Sequence, residues 1–484
     1  MTTVRPSAGL AAAELDVRLG ERLAALVGVA PAVGGLAAAT VPVGDVDPVA
    51  LFAAAAEADL EAALWLRPAE GTALVGIGRA WAVEAAGPGR FREAEEAWRA
   101  LVREARLDGA ADGRGGGPVL LGGMGFSGRR PAPDDPWAPF GPSSLVLPEL
   151  LLAVAPDGTR LTGSLVTAEA PADARALERR WDRLAERARA LDPGRTGMVA
   201  RPVYAPLAIA GEQPSEDGWK RLVGMFAGAV GRGRLDKVVL ARRVGLRSPV
   251  ELDVPNALRR LAASAPESTT YAFRRDGRTF LGATPERLVR TEGRSFRTVA
   301  VAGTTGRGAD SAEDAVLAAQ LMASDKNREE QAIVVSAIRD QLAPIAETLE
   351  VAAQPSIMTL RFVQHLVTEI SGTLAEGRGL LSLGGLLHPT PAVGGEPRDL
   401  ALALLDEHEG FDRGWYAGPV GWLGADGDGE LCVALRCGIV DRTRATLFAG
   451  CGIVADSDPD AEWEESRIKL RAVVSALGIP GSDL

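Results

Sequence analysis

The sequence predicts an α+β fold with antiparallel sheets, on three observations. Strand-like and helix-like segments are mixed without the regular alternation that builds a doubly wound parallel sheet. Several strand-like runs follow one another at hairpin distance. The breaks are rich in Gly, Pro and Asp, as at 108–118 (DGAADGRGGGP), 127–142 (SGRRPAPDDPWAPFGP) and 211–218 (GEQPSEDG).

In chain order, strands are expected at 117–126 and 144–155, on either side of the second break. A helix is expected at 171–191. Another spans 217–233, where Trp219, Leu222, Val223 and Phe226 recur at helical spacing. Strands follow at 236–246 and 278–291, then helices at 311–323 and 326–342. The last of these carries an apolar stripe of Val334, Val335, Ile338 and Leu342, with Ser324 or Asp325 as its cap. Strands at 430–440 and 446–455 precede a final helix at 460–477, striped by Trp463, Leu470, Val474 and Leu477.

Composition narrows the function classes. The chain has 484 residues, room for one large domain or two to three ordinary ones, and is 46% hydrophobic. A net charge of −11 argues against a nucleic-acid surface, so an anionic ligand needs positive charge concentrated locally. Glu14, Asp16, Arg18, Glu21 and Arg22 interrupt the first thirty residues, which do not read as a signal peptide. Nothing reaches the apolar length of a membrane-spanning helix. Cys432, Cys437 and Cys451 form no Cys-x-x-Cys motif, and a reducing cytoplasm is the simplest setting. With three His and no thiolate cluster, the chain favours a hard cation held by carboxylates over zinc.

Several residues break the local pattern. In RLDKVVLARRVGL, Leu235, Lys237, Val239 and Ala241 share one face, which sets a lysine among apolar neighbours. It is either an edge lysine reaching water or a base whose pKa desolvation lowers. In FLGATPERLVR, Pro285 ends or bends the strand and leaves Glu286 at the bend. One face of ELCVALRCGIV carries Arg436 between small residues, and one face of LFAGCGIVA carries Gly450 and Gly452. Strand glycines mark either a bulge or a close approach; together with Arg436 they suggest an anion site. Glu462, Glu465 and Lys469 share a helical face, as a salt-bridge ladder or as the rim of a metal site. In SDKNREEQAIVV, Glu329 falls in solvent, Glu330 at the edge of the apolar stripe and Gln331 near its centre.

These features, in this order, resemble the chorismate-utilising enzymes: isochorismate, salicylate, anthranilate and aminodeoxychorismate synthases. The matching segments are KVVLAR, FLGATPERLV, VAGTTGRG, LMASDKNREEQAIVV, VQHLVTEISG, LHPTPAVGGEP, RGWYAGPVGW and LFAGCGIVADSDPDAEWEESRIKL. They run from 235 to 470, with weaker echoes back to about residue 74; the first 70 residues are poorly diagnostic. The resemblance implies one structural domain: two antiparallel sheets packed as a sandwich with helices outside. Residues 71–200 would form the N-terminal half of the sandwich and 201–484 the chorismate-binding core.

Within that family the isochorismate synthases are matched best. Lys237 stands where anthranilate synthases usually have Gln, and Ala302 where aminodeoxychorismate synthases carry a lysine nucleophile. Ala392 stands where salicylate synthases usually have Thr. The implied reaction is a reversible, Mg²⁺-dependent conversion of chorismate to isochorismate, feeding menaquinone or siderophore synthesis. A salicylate synthase and a non-catalytic chorismate-binding homologue are the alternatives.

The resemblance implies Lys237 as base and Glu286 as acid. It implies Glu330 and Glu465 as Mg²⁺ ligands, with Glu462 nearby or bridged by water. Gly303, Thr304, His365, Ala392, Tyr416, Arg436, Gly450, Gly452 and Lys469 would bind substrate. It implies a monomer and no membrane or nucleic-acid partner. Two departures stand out: Gln331 replaces the family's usual His, and Asn327 its usual acidic residue.

Overall fold

In a computed structural model of the chain, the described residues form two mostly antiparallel sheets of 13 and 10 strands that pack face to face. The structure describes residues 19–28, 35–109, 115–166, 174–196, 208–359 and 363–478. Among the described residues one pair is parallel, Leu36–Pro42 with Arg106–Asp108.

The large sheet begins at Ala208–Gln213 and continues through Lys237–Arg247, Arg444–Ile453, Cys437–Asp441, Arg278–Thr284 and Thr269–Arg275. There it joins Ala62–Arg67 and the remaining strands of the N-terminal region. The smaller sheet holds Val363–Leu374, Ser295–Gly306, Arg287–Glu292, Gly429–Val433 and Pro419–Gly424, and joins the N-terminal region at Val119–Met124.

Strand alternation decides what each face buries. Tyr271, Phe273 and Phe280 point into the space between the sheets, while Ala272 and Leu281 point outward beneath helices. The inner layer is aromatic, with Trp137 and Phe280 centroids 4.9 Å apart and Phe273 and Trp415 5.6 Å apart. Each such buried ring contributes roughly 1.5–3 kcal/mol. Pro48–Glu57, Val254–Ser264 and Pro459–Ala476 cover the large sheet; Arg90–Arg103, Asp325–Leu342 and Leu380–Leu387 cover the smaller one.

The helices begin and end close to where periodicity places them, at Glu216–Gly231, Ser311–Ala323, Asp325–Leu342 and Pro459–Ala476. The helix expected at 171–191 is Ala174–Leu191, residues 171–173 lying outside the described residues. Capping explains the sharp starts: Ser324 Oγ accepts from Asn327 N at 3.3 Å, and Asp458 from Ala461 N at 2.9 Å.

Three strand-like runs differ from expectation in one consistent way. Each is two strands in different sheets, with the chain crossing between them. Ser143–Leu147 and Leu150–Ala155 are separated at Pro148 and Glu149. Arg278–Thr284 and Arg287–Glu292 are separated at Pro285 and Glu286. Gly429–Val433 and Cys437–Asp441 are separated at Ala434 to Arg436. Apolar residues continue on both sides of each crossing because both halves face the same core, so apolar content alone hides the break.

No helix among the described residues is long and apolar enough to cross a membrane. All three cysteines are free and buried.

Candidate active site

A cleft of about 780 Å³ opens where the two sheets and the last helix meet, within the range of small-molecule sites. Lys237, Glu286, Gly303, Thr304, His365, Ala392, Tyr416, Arg436, Gly450, Gly452, Glu465 and Lys469 all line it. Among the described residues, all that line it fall between Asp236 and Lys469. Glu462 lies just outside the lining, and the Glu330 side chain lies outside the described residues.

One wall is the Lys237–Arg247 strand and its neighbour Arg444–Ile453, in register at Val239 and Gly452. A Cβ at Gly452 would meet Lys237 Cε at 2.6 Å and Nζ at 3.2 Å. A Cβ at Gly450 would meet the Tyr416 hydroxyl at 2.8 Å. The close approach that the strand glycines announce is therefore made by two cleft side chains. Tyr416 is stacked on Phe448 at 5.4 Å, and burial holds its phenol protonated.

The two central crossings place Glu286 and Arg436 side by side at backbone level. Glu286 N donates to Thr284 Oγ1 at 3.2 Å, Val433 N to Glu286 O at 3.0 Å, and Ala283 N to Arg436 O at 3.2 Å. Arg436 sits at φ 48°, a left-handed conformation costly for a side chain and held by these bonds. Sequence alternation expects Arg436 within a strand; the structure corrects this, because the chain is changing sheets there. Burial pushes the Glu286 carboxyl up to about 7, against the lowering pull of Lys237 and Lys469. Burial also lowers the Arg436 guanidinium from its ordinary value, without discharging it.

The opposite wall comes from the smaller sheet. Gly303, at φ 69°, forms a bulge in Ser295–Gly306, where a Cβ would also press on Asn327. The bulge brings Thr304 Oγ1 within 2.9 Å of His365 Nδ1 on the neighbouring strand. Burial keeps His365 below its usual pKa, with the charges of Arg436 and Lys469 adding to the effect. The imidazole is therefore neutral near pH 7 and serves as a polar wall.

The last helix contributes the acidic side. Lys469 Nζ lies 2.6 Å from Glu465 Oε1 and donates to Gly450 O at 2.8 Å. Burial raises the Glu465 carboxyl, but the charge and hydrogen bond of Lys469 outweigh it and hold the group below its ordinary value. The side chain remains 51% exposed towards the cleft. Glu462 receives a hydrogen bond from Ser457 at 2.8 Å on Oε1, while its buried Oε2 has no hydrogen-bond partner among the described residues. Cys451 Sγ and one carboxylate oxygen each from Glu462 and Glu465 lie within 4.8 Å of one another. Burial holds the Cys451 thiol protonated. The remaining donors are two carboxylates, one with an orphaned oxygen, a set that suits a hard, oxygen-loving cation.

Gln331 does not face the cleft. It is 3% exposed, and its Nε2 donates to Ala300 O and Thr368 Oγ1, both at 2.9 Å. These atoms belong to the two strands that carry Gly303 and His365, so Gln331 braces that wall from behind. Asn327 does line the cleft, tied by its Nδ2 to Ser324 Oγ at 2.9 Å. His388 is buried, with Nε2 3.2 Å from Phe126 O, and shapes its loop.

Sequence reasoning missed Asp236 and Glu396, which also line the cleft. Glu396 is the register partner of Lys237 on the short strand Gly395–Glu396, and burial with the nearby Asp236 pushes its carboxyl up. The available signal is the GGEP turn, whose acid stands out once its strand is paired to the lysine strand.

Comparison with known proteins gives this arrangement its context. A model of the family described as chorismate binding enzyme matches residues 30–478. The salicylate biosynthesis isochorismate synthase of Pseudomonas aeruginosa is 37% identical over 92% of this chain and 91% of its own. The isochorismate synthase MenF of Bacillus subtilis is 32% identical over 86% and 87%. Among solved structures, MenF of Escherichia coli, described as a menaquinone-specific isochorismate synthase, superposes with a TM-score of 0.76. It is 27% identical and covers 95% of this chain and 99% of its own. Anthranilate synthase component I of Streptococcus pneumoniae, 22% identical with a TM-score of 0.62 over 74% and 80%, shares the fold. The chain is a member of the chorismate-binding enzyme family.

Proposed function

We propose that the chain is an isochorismate synthase, an isomerase that adds water at C2 of chorismate as the C4 hydroxyl leaves. The observation that carries the reading is one cleft lined by an amine, Lys237, and by a carboxyl, Glu286, poised at about 7. The isomerisation needs a base for the incoming water and an acid for the departing hydroxyl, and these two groups fit those tasks.

Lys237 takes a proton from water while the water oxygen bonds to C2. The C1–C2 and C5–C6 double bonds shift to C1–C6 and C4–C5, and the C4 oxygen leaves with the proton of Glu286. Lys237 ends as ammonium and Glu286 as carboxylate, the protonation states the reverse reaction requires. Each group supplies roughly 10²–10⁴ in rate.

Glu465 and Glu462 would hold Mg²⁺, which supplies positive charge for the ring carboxylate of an anionic substrate. Arg436, Tyr416 and Lys469 would take the enolpyruvyl carboxylate, and Thr304 with His365 would wall the ring. Ala392 leaves that side of the cleft small and apolar.

The test is direct. Purified protein is incubated with chorismate and Mg²⁺, and the products are resolved by chromatography. Isochorismate should dominate. Salicylate and pyruvate as main products would make the chain a salicylate synthase. Chorismate binding without turnover at any Mg²⁺ concentration would make it a non-catalytic homologue. Lys237→Ala should abolish hydration, and unchanged activity would remove Lys237 as base.

A further inference from the structure

We infer that the buried pair Glu409–Arg413 is a positioning device that sets the lysine strand, the Ala392 loop and Tyr416 against one another. The inference rests on the function proposed above for what the placed groups do, though the placement itself is independent of it.

The lysine strand has an incomplete outer edge. Its residues Lys237 and Val238 pair with Gly395–Glu396, and Arg243 to Arg247 pair with Ala208–Gln213. Among the described residues no strand covers the gap between. Gly394 O accepts from Val239 N at 2.9 Å, and the ion pair supplies the next two bonds. Arg413 Nη2 donates to Val239 O at 2.6 Å, and Glu409 Oε1 accepts from Ala241 N at 2.8 Å. A side-chain pair thus stands in for a strand, two to four residues beyond Lys237.

The same residue reaches the other walls, by its side chain and by its backbone. Its Nη1 donates to Val393 O at 2.8 Å, next to Ala392, and the Arg413 backbone carbonyl accepts from Tyr416 N at 3.0 Å. Its Nε donates to Glu409 Oε2 at 2.8 Å, and the ring of Phe126 lies 4.3 Å from its central carbon. Arg413 and Glu409 side chains are 3% and 5% exposed, so water cannot replace these bonds. Only the planar, forked donor set of arginine meets two carbonyls and a carboxylate at once. Neither residue lines the cleft, so both act through the groups they place.

The test uses the full-length protein with Arg413→Lys and Glu409→Gln. Lysine keeps the charge but cannot span both carbonyls; glutamine keeps an acceptor for Ala241 N but leaves the arginine uncompensated. With chorismate, each variant should lose about 10- to 100-fold in kcat at nearly unchanged KM, the cost of misplacing a reacting group by about 1 Å. Amide hydrogen exchange should accelerate at 238–242 and 392–394 and stay as in the wild type across the N-terminal strands. Wild-type kcat in a folded variant overturns the inference. So does exchange accelerated evenly along the chain, or failure of both variants to fold, since the pair would then serve the fold at large. If the wild type makes no isochorismate, the proposed function fails, while the exchange experiment still decides the placement.

Discussion

Replacing Glu286 by Gln should make the protein more stable at alkaline pH while removing its acid. Burial raises the Glu286 carboxyl from 4.5 to about 7 in the folded chain. Below 4.5 the group is neutral folded and unfolded, and its ionisation costs nothing. As pH rises through the interval to 7, the unfolded chain releases the proton and the folded chain keeps it, so folding loses free energy. At about 1.4 kcal/mol per unit, the loss is about 3 kcal/mol at pH 8 and under about 1 kcal/mol at pH 5. Glutamine has no such dependence. An unfolding entropy of about 2.1 cal/mol/K per residue gives about 1 kcal/mol/K for this chain, so the variant should melt about 3 °C higher at pH 8. The gain should shrink to under about 1 °C at pH 5. Thermal melts of both proteins at the two pH values, followed by circular dichroism, measure it. Equal differences at both pH values, or a variant that melts lower at pH 8, would refute the desolvated carboxyl. In the wild type, the same ionisation should bring kcat/KM for chorismate down as pH rises through about 7.

Contacts around the cleft lead to two further outcomes. Gly452→Ala puts a methyl 2.6 Å from Lys237 Cε, so kcat should fall on the order of 10²-fold while the melting temperature barely moves, the lysine stem being free to swing aside. Gln331→Leu removes two buried hydrogen bonds, and stability measured by urea unfolding should fall by about 1–3 kcal/mol. Its Mg²⁺ affinity, read by isothermal titration calorimetry, should stay as in the wild type, because the side chain braces the wall from behind; a tenfold change would put Gln331 at the metal.

The helices are legible from their apolar period, and Ser324, one of the two caps the sequence offers for 326–342, bonds as the cap in the structure. The strands are legible as apolar segments but not as units. Residues 278–291 read as one strand-like run, and only Pro285 betrays that the chain passes from one sheet to the other. The cleft residues can be named because a few types are out of place in strands: a lysine, a lone arginine, paired glycines. Gln331 shows the limit of a helical wheel. The wheel turns it inward correctly, but whether inward means the cleft or the core depends on one strand 31 residues earlier and another 37 residues later. Glu396 is invisible for a related reason, since nothing local says that its two-residue strand lies against Lys237.

The seam where the N-terminal strands join each sheet bears on how the chain can be divided. Ala62–Arg67 lies against Thr269–Arg275, and Val119–Met124 against Pro419–Gly424. Every cleft residue is on the C-terminal side of both seams. A fragment of that side alone would carry the whole site and still expose two bare edges in the middle of its sheets. Such edges are templates for another chain. The fragment should therefore be recovered as insoluble aggregate, or as a soluble complex only when the missing half is supplied in trans.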